Sequence, residues 1–181
     1  SRARPILVAL IGQVATIAPL AAHLGILRGS DTYYLLKEST GRPITVVSEI
    51  GVRLPSSLTS SGRAMLSHLS AAQIRALFPN SHAFVDRTGK GPTNLAQLKG
   101  LLAKERTQGY ASESGSVTLG HSSVAVAVFD HLGEPIAAIN IVYRDSTINR
   151  SDQQVLLDAV KDSARDLTRR LGGRVPSGIK D

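Results

Sequence analysis

Two short stretches carry residues that could do chemistry. The first is Thr59-Ser60-Ser61-Gly62, which opens a run of helix-forming residues, Arg63-Ala64-Met65-Leu66. The first N–H groups of a helix have no helical acceptor, so hydroxyls beside them make either an anion site or an ordinary N-cap. The second is the pair of apolar runs Ser123–Asp130 and Pro135–Tyr143, joined by His131-Leu132-Gly133-Glu134, which reads as a β-hairpin. If Asp130 faces Pro135, then Ala127 opposes Ala138, Ala125 opposes Asn140 and Ser123 opposes Val142. Side chains alternate along a strand, so these six residues share one face, while Val124, Val126, Val128, Ile139 and Ile141 share the other. A face of alanines with one hydroxyl and one amide leaves volume, and its polar groups need partners. A ligand pocket meets both conditions. So does a helix packed on the face, with Asn140 bonded to backbone.

Catalytic motifs are incomplete. Gly120-His121-Ser122-Ser123-Val124 lacks the last glycine of a nucleophile elbow and enters a strand rather than leaving one. Ser60 to Arg63 places arginine where a Ser-x-x-Lys pair needs lysine, and a guanidinium does not deprotonate to act as a base. His23, His68, His82, His121 and His131 show no metal-ligand spacing, so no metal is expected. Gly89-Lys90-Gly91 is a fragment of a phosphate loop and reads as a surface turn. Nothing in the residues asks for a cofactor.

These residues must be positioned by the rest of a 181-residue chain, long enough for one domain with a substantial core. It has no cysteine, which excludes disulfides and thiolate chemistry. The net charge of +7 suits an anionic partner, but the basic residues are scattered, and 4% aromatic content with no Trp offers no stacking platform for single strands. Pro5 to Leu27 contains no formally charged residue, yet Gln13, Thr16, Pro19 and His23 interrupt it, so it reads as an amphipathic helix over 5–18 followed by a strand, not a membrane span. That helix is apolar enough on its sides to suggest a second packing partner, such as another copy of the chain. Strands follow at Thr32–Leu36 and Pro43–Ser48, then helices from the Thr59 region and over Ala71–Phe78, the latter capped by Ser70. Thr93 is expected to cap a helix over 94–108 that ends at Gly109, and Ser151 with Gln154 to make a capping box for a last helix reaching about Arg170. Residues from Gly172 read as a frayed tail. Hairpins rather than β-α-β crossovers place the fold in the α+β class with an antiparallel sheet.

In order along the chain, HLGIL at His23–Leu27, RLP at Arg53–Pro55, SGRAML at Ser61–Leu66 and LSAAQIRAL at Leu69–Leu77 are followed by GY at Gly109-Tyr110, LG at Leu119-Gly120 and VAVAVFDHLGEPIAAINI at Val124–Ile141. This series resembles the C-terminal effector-binding domain of IclR-type transcriptional regulators over nearly the whole chain. The resemblance implies a GAF/PAS-like curved antiparallel sheet flanked by helices, with a pocket on the sheet for a small organic acid. It implies sensing rather than catalysis. It also implies that DNA is bound only through an N-terminal winged helix-turn-helix, absent from these residues, with residues 1–18 as the end of the linker helix, 19–172 as the sensing domain and 173–181 as a flexible tail. Carried over residue by residue, the carboxylate-binding turn falls on Ser60 and Ser61, the acidic pocket residue on Glu113, and the polar residue opening the hairpin on Ser123. Two positions on the returning strand fall on Asn140 and Val142, and an apolar wall residue on Val46. The chain departs from the pattern in Val142, which lacks a hydroxyl, in Ser60-Ser61 in place of a Gly-Ala pair, and in Gly115-Ser116 where acidic residues often stand.

The sequence therefore reads as the ligand-binding, oligomerising half of a cytoplasmic bacterial regulator, a homodimer or homotetramer with no membrane partner. Two other readings stay open at this point: an enzyme of small-acid metabolism on a GAF-like scaffold, with Glu113 as its base, and an assembly module with a vestigial pocket.

Overall fold

The computed structural model describes residues 2–41 and 50–179. The expected strand at Pro43–Ser48 and the wall residue Val46 lie outside the described residues. Six strands form one antiparallel sheet: β1 (Leu20–Arg28), β2 (Asp31–Ser39), β3 (Arg53–Pro55), β4 (Ala111–Ser114), β5 (His121–Phe129) and β6 (Pro135–Arg144). Their order is β3-β2-β1-β6-β5-β4, so the β5–β6 hairpin sits beside β1 at the centre. The helices are α1 (Ala3–Val14), α2 (Ser60–Leu66), α3 (Ala71–Leu77), α4 (Leu95–Gln108) and α5 (Arg150–Arg170). This is the expected α+β class.

The hairpin register is the one the alternation predicts: Ser123 opposes Val142, Ala125 opposes Asn140 and Ala127 opposes Ala138. It shifts only beyond Val128, where Phe129 rather than Asp130 meets Pro135, because proline supplies no ladder N–H and sits at a bulge. The two faces then receive different partners. The large face, with Val124, Val126, Val128, Ile139 and Ile141, packs under α1 and α5 in the main core. The small face takes α2, whose Ala64 and Met65 lie on Ala125, Ala127 and Ala138. Small residues let this helix approach closely, and α3 and α4 add a satellite cluster of Leu66, Ile74, Phe78, Leu98 and Leu102.

Helix α1 is shorter than expected, ending at Val14, because Pro19 forces residue 18 out of helical geometry and Ala15–Ile17 close as a turn. One side of it, Ile6, Leu7, Leu10, Ile11 and Val14, is buried in the domain's own core, while Val8 on the other side is 52% exposed. The caps also move by a residue or two. Asn94, not Thr93, accepts from the Gln97 N–H at 2.9 Å. Asn149 and Asp152, not Ser151 and Gln154, form the capping box of α5. Asn caps at least as well as Ser or Thr, and where the two types adjoin, the extended backbone at Asn decides. Gly109 ends α4 in the left-handed conformation, as read. The described part of the segment after α5 makes contacts with the domain. Gly173 N–H donates to Thr168 O at 2.7 Å, Arg174 N–H to Asp130 O at 2.9 Å, and Ile179 packs against the small-face cluster.

Candidate functional site

The site grows from the close approach of α2 to the small face. Thr59 caps the helix, its Oγ1 accepting from the Gly62 N–H at 2.9 Å and lying 2.8 Å from Thr32 Oγ1. A Cβ at Gly62 would stand 2.3 Å from Ser56 O, so only glycine lets the turn fold this tightly. With the Gly62 N–H satisfied, those of Ser60 and Ser61 are the first-turn donors left without a helical acceptor. Both serines are buried, at 1% and 0% exposure.

From Ser60 a line of polar contacts crosses the sheet. Ser60 Oγ lies 2.6 Å from Ser123 Oγ. Ser123 Oγ donates to Glu113 Oε1 at 2.9 Å, across the β4–β5 pairing that sets the two residues opposite each other. Because Ser123 spends its proton on Glu113, the Ser60 hydroxyl is the donor in the first contact. Glu113 Oε2 accepts from the Ser116 N–H at 3.1 Å and from Ser116 Oγ at 2.9 Å. Burial still outweighs these bonds and holds the Glu113 carboxyl above the ordinary carboxylate range. Gly115-Ser116 thus turns a serine onto the acid.

The returning strand supplies Asn140, which is 1% exposed. Its Oδ1 accepts from the His23 backbone N–H at 3.0 Å and contacts His23 Nδ1 at 2.8 Å. The reading in which Asn140 serves the backbone is therefore half right, because its Nδ2 is buried beside the Tyr34 phenol without a well-formed hydrogen bond. Ser61 Oγ is in the same state. Tyr34 stands beside both, 3% exposed, with its ring 4.4 Å from that of His23, and burial followed by the Glu113 charge pushes its phenol well above the usual value. Val142 closes this face as an apolar residue, 9% exposed and opposite Ser123. The structure thus brings together Ser60, Ser61, Glu113, Ser123, Asn140 and Val142.

Three groups were not read from the sequence as part of the site. His23 and Tyr34 sit on β1 and β2, and their polar character inside apolar runs was the only signal. Arg63, considered only as a failed general base, is a clamp. Its Nε donates to Glu105 at 2.9 and 3.2 Å, one terminal nitrogen donates to Ser57 O at 3.1 Å, and the other to Ser112 O. Both side chains of this ion pair are 5% exposed. Burial raises Glu105 more than Arg63 lowers it. No group of three or more metal-ligating side chains stands together among the described residues.

The family profile described as "Bacterial transcriptional regulator IclR C-terminal" matches residues 2–169. The chain belongs to the IclR family. It is 29% identical to the HTH-type transcriptional regulator XynR of Escherichia coli over 150 residues, covering 83% of this chain and 59% of that protein. It is 32% identical to the E. coli transcriptional repressor IclR over 126 residues, covering 68% and 45% of the two chains. The solved IclR of Thermotoga maritima superposes with a TM-score of 0.83 at 24% identity, over 95% of this chain and 69% of that one, which shows a shared fold. The chain spans about half to three-fifths of the length of these curated relatives. As an IclR C-terminal domain it falls among transcriptional regulators and not among enzymes, which removes the reading of Glu113 as a catalytic base. No helix among the described residues is long and apolar enough to cross a membrane.

Proposed function

We propose that this IclR domain senses a small organic acid on the α2 side of the sheet and passes occupancy to a DNA-binding half elsewhere in a cytoplasmic regulator. The observation that carries the reading is a buried polar array with spare capacity: Ser60, Ser123 and Glu113 are linked, while Asn140 Nδ2 and Ser61 Oγ lie beside the Tyr34 phenol without a well-formed hydrogen bond. A native fold leaves such groups unpaired rarely, since each costs about 1–3 kcal/mol, and a ligand that satisfies them recovers that cost. In this reading the acid's carboxylate takes the Ser60 and Ser61 N–H groups. Ser123 and Asn140 bind its other polar atoms, Glu113 backs Ser123, and Val142 supplies apolar wall. Assembly as a homodimer or homotetramer belongs to the proposal. Exposed apolar residues such as Leu119 (62%), Leu132 (64%) and, on α1, Val8 (52%) are surface available for it. Ligand occupancy that favours one subunit arrangement over another would reset the DNA-binding heads by population shift.

A thermal-shift screen of organic acids tests this. Saturating ligand at a hundredfold excess over Kd stabilises by about 2.7 kcal/mol. Ser61→Pro, which deletes one of the two N–H groups, is expected to abolish the shift. If Ser61→Pro keeps a full shift, or no acid shifts the protein, the reading fails.

A further inference from the structure

Asn140 can present either pole of its amide to a ligand, and its neighbours decide which. A backbone N–H can only donate, so the atom 3.0 Å from His23 N is the amide oxygen. His23 Nδ1, 2.8 Å from the same oxygen, must then carry its proton to donate as well. Two donors on one residue hold Oδ1 against β1. The ring that supplies the second is 0% exposed and lies against the Tyr34 ring, with centroids 4.4 Å apart and planes tilted by 30°. The amide nitrogen is left buried without a well-formed hydrogen bond, beside the Tyr34 phenol, which the Ser61 hydroxyl also approaches. Ser61 can donate or accept; Asn140, so held, can only donate.

We infer that His23 is a specificity-determining residue: by fixing the Asn140 amide it makes this position recognise a hydrogen-bond acceptor on the effector and reject a donor. The inference rests on the acid-sensing reading above and adds a demand on the rest of the ligand. Beyond its carboxylate, the acid must carry an acceptor such as a carbonyl or ether oxygen. An ammonium there would face two N–H hydrogens and leave Nδ2 unsatisfied.

The test uses sets of monocarboxylates matched in length, each in oxo, amino and unsubstituted form, titrated calorimetrically into the 181-residue chain. The oxo member is expected to bind best, with the amino member weaker by roughly tenfold or more. Asn140→Asp keeps the shape and the bond from His23 N–H but turns the donor into an acceptor, so the preference should reverse. His23→Phe keeps a ring against Tyr34 and the backbone N–H but removes the ring donor. It should shrink the oxo-to-amino ratio while still binding, an effect on selectivity that a merely structural histidine would not have. Should Asn140→Asp fail to fold, the ratio in His23→Phe decides alone. Equal binding of oxo and amino acids by the unaltered protein, or an unchanged ratio in His23→Phe, overturns the inference but leaves the acid-sensing reading intact. Binding by no member of any set overturns both.

Discussion

Glu113 is the residue where burial and charge conflict most directly. Its carboxyl is held above the ordinary 4.5 because desolvation outweighs the bonds from Ser123 and Ser116. A folded-state value above the unfolded one means that the folded protein binds the extra proton. Its contribution to stability is complete below the unfolded value and is lost as pH rises through the folded one. The same sign governs an anionic effector, which meets a neutral neighbour while Glu113 is protonated and a like charge afterwards. Ligand affinity is therefore expected to fall as pH rises above the ordinary carboxylate range, and Glu113→Gln to flatten that dependence. Calorimetric titration of the two proteins across this rise in pH checks it. A parallel fall in both would assign the effect elsewhere, for instance to Glu105, whose carboxyl is raised for the same reason.

Helix α2 is short, and three features hold its seven residues in place: the Thr59 cap, the glycine-only contact at Gly62, and the Arg63 clamp. The clamp ties α2 to α4 through Glu105, to the preceding turn through Ser57 O, and to the edge strand carrying Glu113 through Ser112 O. Removing one member of a buried ion pair strands the other, which costs about 3–5 kcal/mol, whereas replacing both with apolar groups can be nearly neutral. Arg63→Met is thus expected to lower the urea unfolding midpoint sharply, and Arg63→Met with Glu105→Leu to recover much of the loss. Affinity for an acid should stay reduced in the double variant, because the Ser57 and Ser112 carbonyls have lost their common donor. A double variant that regains stability and full affinity would leave the clamp as a packing device only.

For the whole molecule, the charge-free N-terminal stretch is resolved by intramolecular packing. Leu10 is fully buried between the sheet and α5. The larger apolar side of α1 is covered by its own domain, and Val8 on the other side is exposed. Leu10→Glu is therefore expected to unfold the protein and not simply to dissociate it, since an unpaired buried carboxylate costs several kcal/mol. Circular dichroism and sedimentation of the same sample separate the outcomes. A folded protein of lower mass would return α1 to an interface.

What the sequence determined by itself was whatever depends on local periodicity and backbone chemistry. Alternation along two strands was enough for the hairpin register, because a slip of one residue would have put Val124 and Ile139 on the α2 side. The start of α2 at Thr59 and the end of α4 at Gly109 followed from hydroxyl capping and a positive φ. The small polar face around Ser123 and Asn140 was legible for the same reason. Only the tertiary structure decided which groups share that face from a distance. His23 lies 117 positions from Asn140, and Arg63 lies 42 from Glu105, separations at which no sequence period operates. It also decided what became of the apolar surplus in α1, since a hydrophobic pattern states that a face is buried but not against what. The donor left on Asn140 is the sharpest case. An amide in a sequence has two poles, and which one is offered was settled by one backbone N–H and one imidazole brought alongside by the pairing of β1 with β6.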